Sequence, residues 1–246
     1  MMDKFIYKTK QQMATAAAAA AAEKIRKAIT KKAQANIVLA TGASQFEVLE
    51  SLVNAEGLDW SKVVMFHLDE YIGLGIEHPA GFRKYLKQRF VNKVGSLKAV
   101  HFINGDAPDC RKECRRLSQI ITENPIDLTM AGIGENGHLA FNDPPADFQT
   151  EDPFIIVNLN QKCRQQQLGE GWFDKLDDVP KQAISMSIQR IMKSALLIVS
   201  VPDNRKAQAT KAALEGPVTN MCPASILQQH PYCKIFLDEN AASLLS

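Results

Sequence analysis

Six apolar runs, separated by stretches with helical spacing or by turns, constrain this chain more than any other feature. They are NIVLATG (36–42), KVVMFHLDE (62–70), AVHFI (99–103), IDLTMAG (126–132), ALLIVSV (195–201) and CKIFLDE (233–239). Helical patterns follow in SQFEVLESLV, FRKYLKQRFVNKV, CRKECRRLSQIIT and NRKAQATKAALEG. Continuous Val/Ile/Leu runs suit strands covered on both faces, and their alternation with helices suits right-handed βαβ units. The expected fold class is therefore α/β, one doubly wound domain over residues 1–246. The alanine run at 16–22 leads into EKIRKAITKK, with Ile25 and Ile29 four apart, and reads as an amphipathic first helix rather than a signal peptide. Segment 143–182, rich in Pro, Asp and Gln, is expected to form a long loop or lid.

Charge narrows the function classes. With 29 basic and 27 acidic residues the net charge is +2, which gives no footprint for nucleic acid or a membrane surface. No stretch reaches the apolar length of a transmembrane helix. Five scattered cysteines, Cys110, Cys114, Cys163, Cys222 and Cys233, lack zinc-site spacing and read as reduced thiols of a cytoplasmic protein. No metal cluster is expected.

Ligands of such sheets bind beyond the carboxyl ends of the strands. The residues there are Thr41-Gly42-Ala43-Ser44, His67-Leu68-Asp69-Glu70-Tyr71, Gly132 to Asp143, and Pro202-Asp203-Asn204-Arg205-Lys206, a set suited to a charged small molecule. GIGENG at 132–137 matches the dinucleotide pattern G-x-G-x-x-G, but Asn142-Asp143-Pro144-Pro145 denies it the long helix that a pyrophosphate needs. No dinucleotide or other cofactor is expected. Its closely spaced His138 and Asp143 instead suit general acid/base work. Asp69 is placed to abstract a proton, and Glu70 reads equally as a structural carboxylate. Lys206 stands in the first turn of a helix, which disfavours a cation unless an anion binds there, and the TGAS turn offers amides to the same anion. His67, His101 and His230 are read as packing or capping residues, and His78 is ambiguous.

Together LATGAS, FHLDEYIGL…HP, INGDAPD, GIGENGHLAFNDP, VPDNRKAQA and PASILQQHPYCKIFLDENAASLL resemble the glucosamine-6-phosphate deaminase (isomerase) family, from about residue 36 to the end. The resemblance implies a single three-layer α/β/α domain with a mainly parallel, modified Rossmann-like sheet. It implies conversion of glucosamine 6-phosphate into fructose 6-phosphate and ammonia, without a cofactor or metal. Asp69 matches the base that moves a proton between C2 and C1. His138 matches the histidine that assists ring opening, and Asp143 the carboxylate that supports it. Thr41, Gly42, Ala43, Ser44 and Lys206 match phosphate contacts, and Gly134 belongs to the sugar-binding loop.

Three positions depart from the family pattern. Asn136 stands where many members carry Asp in an acid–histidine relay, and Asp143 replaces a glutamate. Gly171-Trp172 stand where an R-F-F motif supplies a phosphate-binding arginine, for which Arg164 is the expected substitute and Arg83 another candidate anchor. A 6-phosphogluconolactonase and a non-catalytic sugar-phosphate sensor are the rival functions. HLAFNDP and DEY favour the deaminase over the lactonase, whose loop continues as T-A-S-L-F-P and whose second strand ends in D-E-R. The partner expected is a phosphorylated amino sugar; homo-oligomerisation and the identity of the sugar stay open.

Overall fold

The computed structural model describes Met2–Ser246. Its strands are β1 (Met2–Tyr7), β2 (Ala35–Leu39), β3 (Val63–His67), β4 (Asp69–Tyr71), β5 (Ala99–His101), β6 (Leu128–Ala131), β7 (Phe154–Asn158), β8 (Gln182–Met186), β9 (Leu197–Val201) and β10 (Cys233–Asp238). Seven of them, all parallel, make the central sheet in the order β1-β10-β9-β6-β2-β3-β5. The six runs read from the sequence all contribute to it. β1, half-exposed at the edge, carries too polar a pattern to be recognised.

The helices are α1 (Lys10–Lys32), α2 (Phe46–Val53), α3 (Phe82–Leu86), α4 (Cys110–Glu123), α5 (Gln161–Gly169), α6 (Ile188–Met192) and α7 (Ala207–Glu215). Side chains on a strand alternate between faces, and the sheet divides its core accordingly. Ile37 and Leu39 of β2 and Val63 and Met65 of β3 pack with α1 and α2. Val38, Val64, Phe66, Val199 and Ile235 point the other way, toward α4, α6 and α7. This is the expected three-layer α/β/α arrangement. The alanine run lies within α1, where Ala14, Ala17, Ala18, Ala21 and Ala22 are all buried and let the helix lie close on the sheet. Thr9 caps its start by accepting from Gln12 N at 3.2 Å.

Two expectations need correction. KVVMFHLDE is not one strand: after β3 the chain leaves the large sheet, and β4 joins a second, antiparallel sheet of order β4-β8-β7. Segment 143–182 is not one long loop. It contains β7 and α5 and runs into β8. Its polar composition hid these elements because β7 is half-exposed and α5 buries glutamines as well as Cys163. The helical pattern FRKYLKQRFVNKV begins as α3 and continues as a turn of π-helix, Lys87–Val91. Among the described residues no helix is long and apolar enough to cross a membrane.

Candidate active site

One cleft at the carboxyl ends of β2, β3 and β6 is lined by Thr41–Ser44, Asp69, Gly134, His138 and Lys206. Each of these was singled out from the sequence, and they converge from four separate stretches. The sequence reading missed Gln166, Gln167 and Glu170, which α5 and the residue after it present to the same cleft. No periodic signal marks them; the polar run RQQQ is their only trace.

The glycine loop is shaped by close packing rather than by a ligand's diphosphate. A Cβ on Gly134 would stand 2.2 Å from the His138 ring, so glycine is required for the ring to lie against that backbone. Gly137 takes φ +82°, a left-handed conformation open to glycine. Gly137 N donates to Gly134 O and Gly134 N to His138 O, each at 3.0 Å, closing a tight turn with no helix behind it. Asn142 fastens the loop to the small sheet, donating to Leu139 O at 2.8 Å and Met186 O at 2.9 Å.

His138 is buried, with Nδ1 3.2 Å from Asp143 Oδ1, an ion-pair distance that lies off the line of a well-formed hydrogen bond. Asp143 stands behind the ring, outside the cleft lining. Asn136 Nδ2 donates to its Oδ1 at 2.8 Å, Asn160 N donates to its Oδ2 at 2.8 Å, and Asn136 Oδ1 accepts from His138 N at 3.1 Å. Burial pushes the Asp143 carboxyl up, but His138, Asn136 and Asn160 outweigh it and hold the group below the usual range. The shorter aspartate therefore reaches the ring, and Asn136 serves as a neutral donor to Asp143 where an aspartate would repel it.

Asp69 and Glu70 are neighbours on β4 with opposite fates. Glu70 is fully buried and accepts from Tyr71 N at 2.9 Å, Phe82 N at 3.1 Å and Arg83 N at 2.7 Å, capping α3. Burial raises it to about 7 against those donors and the Arg83 charge. Its role is structural. Asp69 faces the cleft, and its carboxylate accepts no hydrogen bond from the described residues. Burial, with Glu70 beside it, raises it to about 8. A carboxylate that is buried, unpartnered and raised toward neutrality is poised to take up a proton.

At the other side of the cleft Lys206 is 5% exposed. The nearest ion-pair partner of its ammonium is Glu135 Oε1 at 3.9 Å, and that ammonium makes no hydrogen bond among the described residues. Burial pulls its pKa down, opposed by the carboxylates of Glu170 and Glu135. The buried Thr41 hydroxyl is likewise without a hydrogen-bond partner. Glu170 sits over the 42–44 turn, accepting from Ala43 N at 3.5 Å and, on the same oxygen, from Trp172 Nε1 at 3.2 Å. Arg205 turns outward, pairing with Asp203 at 3.2 Å and Glu135 at 3.7 Å.

The two candidate anchoring arginines lie elsewhere. Arg164, expected to replace the missing phosphate contact, donates Nε to Val179 O at 3.1 Å and Nη2 to Leu176 O at 2.5 Å and does not line the cleft. Its guanidinium is spent closing the 176–179 turn. Arg83 is buried on Asp106 at 2.8 Å and Leu74 O at 2.8 Å. His67 is fully buried, its pKa drawn down to about 3 by burial and the Arg83 charge. His230 bonds Ser194 O and Tyr232 N, His101 packs on Phe66, and His78 Nδ1 accepts from Ala80 N.

Residues 8–234 match the family described as glucosamine-6-phosphate isomerases/6-phosphogluconolactonase. A glucosamine-6-phosphate deaminase of Oenococcus oeni is 41% identical over 208 residues, covering 85% of this chain and 86% of that protein. One from Listeria welshimeri is 36% identical over 225 residues, covering 92% and 94%. Among solved structures, a monomeric glucosamine-6-phosphate deaminase superposes at TM-score 0.90 and 31% identity, over 99% of this chain and 100% of that one. A 6-phosphogluconolactonase from Shewanella baltica superposes at TM-score 0.81 over 97% of this chain and 98% of that one, but at 15% identity, a likeness of fold alone.

Proposed function

The chain belongs to the glucosamine-6-phosphate isomerase/6-phosphogluconolactonase family, and we propose that it is a glucosamine-6-phosphate deaminase, releasing ammonia and fructose 6-phosphate. The observation that carries this reading is the pairing in one cleft of an unpartnered carboxylate, Asp69, with a carboxylate-backed imidazole, His138, and with a buried ammonium, Lys206, held only by a long ion pair to Glu135.

The sugar phosphate docks its phosphate on the Thr41–Ser44 turn and Lys206. Anchored there, the sugar places C1 and C2 near Asp69 and the ring oxygen near His138, so that reaction proceeds within one bound complex. His138 moves the proton between the anomeric hydroxyl and the ring oxygen as the ring opens, and Asp143 and Asn136 hold it in orientation. Asp69 then takes the C2 proton and returns it to C1, while a proton passes from the amino group to the C1 oxygen, which turns the amino aldose into an imine of the ketose; water adds to that imine and releases ammonia. Each step is proton transfer by a positioned side chain. An ammonium group on the substrate lowers the Asp69 pKa, so binding itself helps to ionise the base.

The test is release of ammonia and ketose phosphate from a panel of amino-sugar phosphates, with gluconolactone 6-phosphate as control. Turnover of the lactone alone would overturn the reading in favour of the family's other activity.

A further inference from the structure

Cys163 lies in the first turn of α5, 1% exposed, and the proton transfers above make no use of it. Its Sγ, a ring nitrogen of His138 and an Asp143 carboxylate oxygen all lie within 4.8 Å of one another. They come from three points in the sequence, which is why no ligand spacing was visible there. A second observation points to a ligand: His138 is 8% exposed, and its Nδ1 is buried without a well-formed hydrogen bond, facing this cluster.

One thiol, one imidazole nitrogen and one carboxylate make a donor set that suits zinc and its thiophilic relatives. Bond lengths of about 2.0–2.3 Å place the ligand atoms of a tetrahedral zinc roughly 3.3–3.8 Å apart. The Nδ1–Oδ1 pair already stands at 3.2 Å, and the sulfur needs to close by about 1 Å to join it. The charges also balance. A divalent cation with one carboxylate and one thiolate is a neutral cluster, which tolerates burial where a lone ion would not.

We propose that Cys163, His138 and Asp143 form a binding site for a thiophilic divalent cation of the Zn²⁺ type, with water as fourth ligand, whose occupation inhibits the enzyme. Binding displaces the thiol proton to solvent and leaves the single ring proton of His138 on Nε2; no electrons are transferred. Inhibition rests on the deaminase reading, because the metal takes Nδ1 and Asp143 away from the ring-opening step. Binding does not rest on it.

The metal-free full-length chain, prepared with chelator, is titrated with Cd²⁺ while the ultraviolet thiolate-to-metal charge-transfer band is followed. A stoichiometric band is expected in the wild type and in Cys110→Ser, and its loss in Cys163→Ser. Asp143→Asn, which retains the thiol, is expected to weaken binding by roughly tenfold or more. In the ammonia assay Zn²⁺ inhibits reversibly on chelation, and Cys163→Ser raises the half-inhibitory concentration by roughly tenfold or more. A band that persists in Cys163→Ser, or binding unaffected in Asp143→Asn, overturns the site. A wild type that gives the band but releases no ammonia from any amino-sugar phosphate leaves the metal site standing and defeats the deaminase reading.

Discussion

Replacing Asp69 by asparagine keeps the shape of the side chain and removes its charge. In the folded chain this carboxyl is raised from an ordinary value of 3.8 to about 8 by burial, with Glu70 adding to the effect. A raised acid favours the folded state only while protonated. Its contribution is fully present below pH 3.8 and is lost as pH climbs toward about 8. The slope is about 1.4 kcal/mol per pH unit, so the whole interval amounts to roughly 5–6 kcal/mol. The Asp69→Asn variant has no such dependence, since an amide does not titrate. Urea unfolding of both proteins, measured at unit steps from pH 5 to pH 9, isolates the effect: a constant offset from burying the amide drops out of the comparison. The stability of Asp69→Asn relative to wild type should climb by about 1.4 kcal/mol per pH unit and level off near pH 8. In parallel, wild-type kcat/KM for the amino-sugar phosphate should increase with pH as the base ionises, and Asp69→Asn should lose about 10²–10⁴-fold in rate. A stability gap that does not change with pH would refute the reasoning, because Asp69 would then titrate as an ordinary surface carboxylate.

Lys206→Ala should raise KM by about 10–100-fold with a smaller effect on kcat, as a charge-assisted contact worth roughly 1.5–3 kcal/mol is removed from both ground and transition states; an unchanged KM in steady-state kinetics removes Lys206 from the anchor. Glu170→Gln takes a negative charge from above the Ala43 amide and should tighten competitive inhibition by inorganic phosphate, by about 3–10-fold for a partly desolvated repulsion; weaker inhibition would mean that Glu170 helps to build the site. Gly134→Ala drives a methyl into the His138 ring and should cost about 1–3 kcal/mol in thermal unfolding together with most of the activity; retention of both would show that the loop yields. Arg164→Ala should lower stability by about 1–2 kcal/mol through loss of its two backbone contacts and leave KM unchanged, and a KM increase comparable to that of Lys206→Ala would return Arg164 to the phosphate.

The central sheet was legible because burial on both faces forces a composition, and NIVLA or ALLIVSV can hardly be anything but a covered strand. The small antiparallel sheet was not. β4 is written as the tail of β3, and the amphiphilic β7 carries no more apolar weight than a loop. Asp69, His138 and Lys206 were legible because they follow strands at the edge where ligands collect. Arg164 shows the limit of that logic: a guanidinium near the right place in sequence has two carbonyls to satisfy, and only the packed chain reveals which demand wins. Cys163, Gln166 and Gln167 hang on a short polar helix whose inward face has no apolar signature, and Glu170 follows directly after it.

The dipeptide Asp69-Glu70 also has a consequence for how this cleft tolerates change. Leu68 is stitched to both sheets, its N–H to Leu39 O at 3.2 Å and its C=O to Met186 N at 2.9 Å. Just beyond that stitch, the two-residue repeat of a strand turns one acid to the cleft and the next to the N-terminus of α3. The protein therefore keeps its proton acceptor and its helix cap in adjacent codons, separated only by parity. Deleting one residue ahead of the dipeptide would slide Glu70 into the position that faces the sugar and Tyr71 into the position that caps the helix, leaving α3 without its carboxylate. Substitutions here can be gradual in effect, whereas insertions and deletions are all-or-none, and the length of this crossing should be among the least negotiable features of the chain.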